Sequence, residues 1–133
     1  MSVFFDTNIL VYAQQNGAKA DKARALLAAG GVLSVQVLNE FAAVARRKLA
    51  KEWDEIGEAI EDALALVDPP LPLTVTLHAT ARAIARDHGL GFYDALIMAA
   101  ALDAGCDTLF SEDLQHGGAF GTLRVVNPFR AAR

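Results

Sequence analysis

Four carboxylates in this chain follow, or sit within, short apolar runs. Asp6 follows VFF, Glu40 follows VLSVQVLN, Asp94 lies in GFYDALI, and Asp113 closes DTLFSED. A carboxylate beside a core is costly unless a cation, a hydrogen bond or a helix terminus compensates it. Brought together, four such groups form an all-oxygen donor set, the kind that hard divalent cations take. Cations held in pairs can activate a water and stabilise the leaving oxygen of a phosphodiester. Taken singly, Asp94 and Asp113 are explained by helix-terminus electrostatics, worth ~0.3–1 kcal/mol each. Asp6 is harder to dismiss, because a buried strand runs straight into it. The set of four points to metal.

The elements that must position these residues alternate in type. SVFF at 2–5 reads as a buried strand ending at Asp6, and NILVYAQQ as a short helix broken by Asn16-Gly17. An amphipathic helix is expected over 20–30, stopped by Gly30-Gly31, and a short strand over 32–34. Ser34 is placed to cap the next helix, whose core face is Leu38, Phe41, Ala45 and Leu49. Further helices are expected over 54–67, from a cap at Thr76 through Arg86 to Gly89, and over 92–105. Strands are expected at 71–75, 106–111 and 123–127. This alternation implies one α/β domain over 1–133, with a central parallel sheet of about four to five strands flanked by helices. Ligands of such sheets bind beyond the carboxyl ends of the strands. Asp6 and Asp113 fall at those ends. Glu40 falls in the second turn of its helix and Asp94 in the first turn of its own, and helical side chains lean toward the amino terminus, so all four can meet at one edge.

Composition narrows the class. The 133 residues are 53% hydrophobic and 21% charged, enough for one sizeable core. The single Cys106 rules out an internal disulfide framework, fits a reducing cytoplasm and reads as a small buried hydrophobe. The apolar start has no basic flank and is interrupted by Asp6, which argues against a secretory signal. The apolar run at 96–102 is too short to span a bilayer, so no membrane role is expected. A net charge of −4 excludes a general nucleic-acid coat, so any nucleic-acid contact must be local. Candidates for phosphate contact are Arg46, Arg47 and Lys48 in ARRKLAK, and Arg82 with Arg86 one turn apart. Gly89-Leu90-Gly91 lacks the third glycine of a dinucleotide fingerprint. His78, His88 and His116 have no zinc spacing, and Ser111 has no histidine in a triad pattern.

In FFDTNILVYA at 4–13, SVQVLNEF at 34–41, YDALIMAAAL at 93–102 and LFSEDLQHG at 109–117, the chain resembles a PIN-domain nuclease. The resemblance spans nearly the whole chain, in order. It implies a parallel sheet, a Mg²⁺ or Mn²⁺ cluster and endoribonuclease activity. Compact members are typically toxins of VapC-type toxin–antitoxin pairs. The resemblance therefore also implies an RNA substrate and a cognate antitoxin, and the Ala-rich helices could serve a homodimer. It makes Asp6, Glu40, Asp94 and Asp113 the catalytic and metal-binding set, with Thr7, Asn8 and Ser111 as supports. Glu112, beside Asp113, is expected to be a solvated acid at the start of a helical turn. Two other readings stay open. A haloacid-dehalogenase-type phosphatase also ends its first strand in Asp, but wants a second Asp where Asn8 stands. A non-catalytic module, PIN-like or receiver-like, would bind without cleaving.

Overall fold

The computed structural model describes residues 2–130; Met1 and residues 131–133 of the expected domain lie outside them. The chain runs β1 (Val3–Phe5), α1 (Thr7–Ala13), α2 (Ala18–Ala28), α3 (Val35–Arg47), α4 (Trp53–Leu64), α5 (Val75–His88), α6 (Phe92–Asp103), β2 (Thr108–Phe110), β3 (Ala119–Phe120) and β4 (Leu123–Val126). The sheet order is β1-β2-β4-β3. β1, β2 and β4 are parallel, and β3 is a short antiparallel edge on β4 that the sequence reading did not include.

β1 alternates between two cores. Phe4 faces the larger one, with Leu33, Val37, Phe41 and α6. Val3 and Phe5 face the smaller one, with Ile9, Ala23 and Leu27. Helices therefore cover both faces, as period-2 side chains of a parallel sheet require. α6 is apolar nearly all round, and its residues from Ala95 to Ala101 are buried.

The expected strands at 32–34 and 71–75 shrink to single bridges, Phe4 with Val32 and Ser34 with Leu71. Each has a local cause. Ser34 leaves the sheet to cap α3, accepting from the Val37 N–H. Pro72 has no N–H and cannot continue a ladder past Leu71. Pairing stops early, so α5 starts early. Its cap is Thr74, whose Oγ1 accepts from the Leu77 N–H at 3.0 Å, and not Thr76. The core face of α3 is Val37, Phe41 and Ala45 with Leu38 partly buried, and the helix ends before Leu49. Gly31 lets the chain pass β1: a Cβ there would lie 2.5 Å from the Phe5 ring.

Candidate active site

The sheet register builds the centre. Phe5 pairs with Phe110, so Asp6 and Ser111 leave adjacent parallel strands side by side. The Asp6 N–H donates to the Phe110 carbonyl at 3.0 Å, and Ser111 Oγ donates to Asp6 Oδ2 at 2.6 Å. The other oxygen, Oδ1, accepts from the Thr7 N–H at 2.7 Å, which makes Asp6 the cap of α1. Both residues are buried, Asp6 at 3% exposure and Ser111 at 0%. Ser111 Oγ also accepts from the Leu114 N–H at 3.2 Å. Residues 112–114 bend without forming a helix, so the helical turn expected there is absent.

From the first turn of α1, Asn8 reaches across to the loop after β2. Its Nδ2 donates to Asp113 Oδ2 at 3.2 Å, and its Oδ1 accepts from the Glu112 N–H at 3.3 Å. Glu40 projects from the second turn of α3, held by Gln36 Nε2 at 3.3 Å. Asp94 stands in the first turn of α6. Asp6, Glu40, Asp94 and Asp113 all line one pocket of about 420 Å³, together with Thr7, Asn8 and Glu112. α1, α3 and α6 thus contribute through their first two turns, where side chains lean back toward the strand ends.

Among the described residues none of these four carboxylates forms an ion pair. Burial raises Asp6 to about 6, against the hydrogen bonds from Ser111 and Thr7, and Asp113 and Asp94 repel its charge further. Burial likewise raises Glu40 to about 7, opposed by Gln36 and reinforced by the other three carboxylates. Asp94 is raised by burial and by Asp113. Thr7 Oγ1, also in this lining, is buried and makes no hydrogen bond among the described residues. An oxygen-only donor set with uncompensated charge and a spare hydroxyl fits a hydrated hard cation. Among the described residues, no three His, Cys, Asp or Glu side chains stand close enough to grip a bare ion. Magnesium does not require that: it keeps several waters and takes one or two carboxylates directly.

Glu112 differs from what was expected. It is no solvated acid, because Lys19 Nζ binds its Oε2 at 2.7 Å and the Tyr12 hydroxyl donates to its Oε1. Burial alone would raise it, but those two hydrogen bonds prevail and hold it below the usual range. Tyr12, Lys19 and Gln36 were missed in the sequence. Gln36 was visible as the i−4 neighbour of Glu40. The tie between Lys19 and Glu112 joins residues 93 apart and left no local signal.

Of the basic candidates, Lys48 alone lines the pocket. Arg46 turns to the Lys51 carbonyl, the Glu52 carboxylate at 3.7 Å and the Trp53 ring. Arg86 pairs with Asp87 at 2.7 Å, and Arg47 and Arg82 are exposed outside the lining. His88 packs edge-on against Phe120, and Cys106 is buried. Among the described residues no helix is long and apolar enough to cross a membrane.

The family model described as PIN domain matches residues 3–117. Comparison with curated proteins gives no match. Three solved structures share the fold. Mycobacterium tuberculosis VapC20, a toxin that cleaves the sarcin–ricin loop, is 21% identical with a TM-score of 0.70, over 84% of this chain and 90% of that one. A toxin–antitoxin complex from Klebsiella pneumoniae is 20% identical with a TM-score of 0.72, over 98% and 100%. Rickettsia felis VapBC2, bound to a fragment of its promoter DNA, is 20% identical with a TM-score of 0.68, over 94% and 97%.

Proposed function

The chain belongs to the PIN-domain family, and from that premise we propose that it is a divalent-metal-dependent endoribonuclease, the toxin of a toxin–antitoxin pair. One observation supports the chemistry above the others: four carboxylates from four separate segments line one pocket at the carboxyl edge of the sheet. The biological reading rests on the likeness to VapC20 and to two toxin–antitoxin assemblies. It brings with it an RNA substrate, an antitoxin that silences the site, a homodimer and a cytoplasmic setting.

Asp6, Asp94 and Asp113 would hold Mg²⁺, or Mn²⁺ in its place, directly or through water. The ion, when bound, supplies the Lewis acid that lowers the pKa of the attacking water and offsets charge on the leaving oxygen. The protein's own residues do the rest. Ser111 and the Thr7 amide fix both oxygens of Asp6, and Asn8 fixes Asp113, so neither carboxylate has to be ordered when substrate arrives. Glu40, with one oxygen tied to Gln36, is placed to orient the water and accept its proton.

The direct test is cleavage of an unstructured RNA by the purified chain with Mg²⁺ or Mn²⁺, alongside Asp6→Asn and EDTA. We expect cleavage by the wild type alone. Hydrolysis of a phosphomonoester with RNA left intact would overturn the assignment in favour of a phosphatase. Mn²⁺ binding without cleavage of any RNA would favour a binding module.

A further inference from the structure

The acidic pocket extends beyond its carboxylates. α1 and α3 pack side by side, and each, with the turn that follows it, presents a row of residues to the pocket. One stripe is Thr7, Val11 and Gln15; the other is Glu40, Val44 and Lys48. Both are spaced by four, the interval that places side chains above one another on a helix face; Gln15 lies in the bend just past α1, and Lys48 caps the end of α3. Eight residues at the helical rise carry the second stripe about 12 Å from Glu40 to Lys48. Between acid and base the walls are the half-buried Val11 and Val44, with Tyr12 beside them. Tyr12 is fixed: its hydroxyl bonds to Glu112 and Lys19, and Phe129 packs against its ring at 4.8 Å. Lys48 is the only basic residue in this lining, and it forms no ion pair among the described residues.

We propose that this groove holds the nucleotide next to the scissile phosphate of a single-stranded RNA, with its base on Tyr12, Val11 and Val44 and the next phosphate on Lys48. The inference rests on the ribonuclease reading and adds a direction to it. A polyanion nearing four carboxylates is repelled, and one cation set a nucleotide's length away gives its backbone a favourable exit. An apolar wall with a fixed aromatic ring suits an unstacked base, which a duplex does not offer. The ARRKLAK run is therefore divided: Lys48 serves the groove, while Arg46 braces the start of α4.

The test is steady-state cleavage of a short unstructured RNA across a salt series by wild type, Lys48→Gln, Lys48→Arg and, as an equal charge change elsewhere, Lys22→Gln. Lys48→Gln should raise KM about fivefold at low salt and leave kcat within about twofold. It should also flatten the slope of log(kcat/KM) against log salt by about 0.7, the share of one phosphate contact on a single strand. Lys48→Arg should restore the slope. An unchanged slope in Lys48→Gln, or equal flattening by Lys22→Gln, overturns the subsite while the ribonuclease reading stands. A wild type that cleaves no RNA overturns both.

Discussion

Asp6 and Glu112 are carboxylates of one pocket with opposite surroundings. Glu112 has a lysine and a phenol on its two oxygens and is held below its usual range. Asp6 is more deeply buried, has only neutral donors, and sits among Asp94, Asp113 and Glu40. The fold satisfies the first charge and leaves the second unneutralised. Lys19 reaches Glu112 on the rim and no further, so the protein keeps its cation out of the place where a metal would go. Burying an unneutralised acid destabilises the chain, which makes sense when something else supplies the charge.

The sharpest way to break this contrast is Asp6→Asn. The amide keeps the shape, and its oxygen can still accept from the Thr7 N–H. Cleavage should fall by ~10²–10³-fold or more, the scale seen when one group that stabilises developing charge is removed. Retained cleavage, in a preparation shown free of contaminating nuclease, would remove Asp6 from the chemistry.

The next comparison lies between neighbours. Asp113→Asn should cost cleavage on the order of 10²-fold, because the residue belongs to the unneutralised set. Glu112→Gln should stay within about threefold, because its oxygens are already committed to Lys19 and Tyr12. Cleavage rates and Mn²⁺ affinities of the two variants decide it. If Glu112→Gln does more damage, the metal-facing acid has been misplaced by one residue.

That pair also shows how far the sequence could be read. Asp6 was legible because a run of buried residues ends on it, and the parallel sheet followed from the alternation of elements. The contact between Asp6 and Ser111 is a matter of strand register, Phe5 against Phe110. Register is set by packing along the whole sheet and leaves no mark near either residue. Glu112 was misread for the same reason, since its partners arrive from α1 and α2. The strand expected at 71–75 stops at Leu71 because Pro72 has no N–H to donate to a ladder. Thr74 and Thr76 are equivalent as types, so only the point where pairing stops could choose between them.

Stability against pH separates the two carboxylates without any assay of activity. Asp6 titrates at 3.8 when unfolded and about 6 when folded, so the folded state holds its proton more tightly. Its contribution is fully present below 3.8 and is lost as pH rises through about 6. Glu40 acts in the same direction up to about 7. For Asp6 the loss is about 3 kcal/mol, or roughly 10 °C in Tm. Glu112 works the other way: its folded value lies below 4.5, so its contribution is present above that value and fades as pH falls. Thermal melts in EDTA should therefore show stability declining from about pH 4 to about pH 7, less steeply in Asp6→Asn. At pH 7.5, Asp6→Asn should melt above the metal-free wild type, and Mn²⁺ should raise the Tm of the wild type alone. A flat profile, or equal Mn²⁺ stabilisation of both proteins, would mean the pocket is not short of a cation.

The smallest effect is expected from Lys19→Gln. The lysine is largely exposed, and a pair of this kind is screened by solvent and salt. Tm should fall by no more than about 3 °C. Glu112 would lose its cation but keep the Tyr12 hydroxyl, so it stays tied to the rim and does not swing into the centre. Cleavage and the midpoint of a Mn²⁺ titration should both remain within about twofold of the wild type. A larger change in the titration midpoint, in either direction, would show that Glu112 shares the metal once it is released. Lys19 would then be the residue that holds Glu112 out of the site, and the division between a neutralised rim and an unneutralised centre would fail at the carboxylate on which it was drawn.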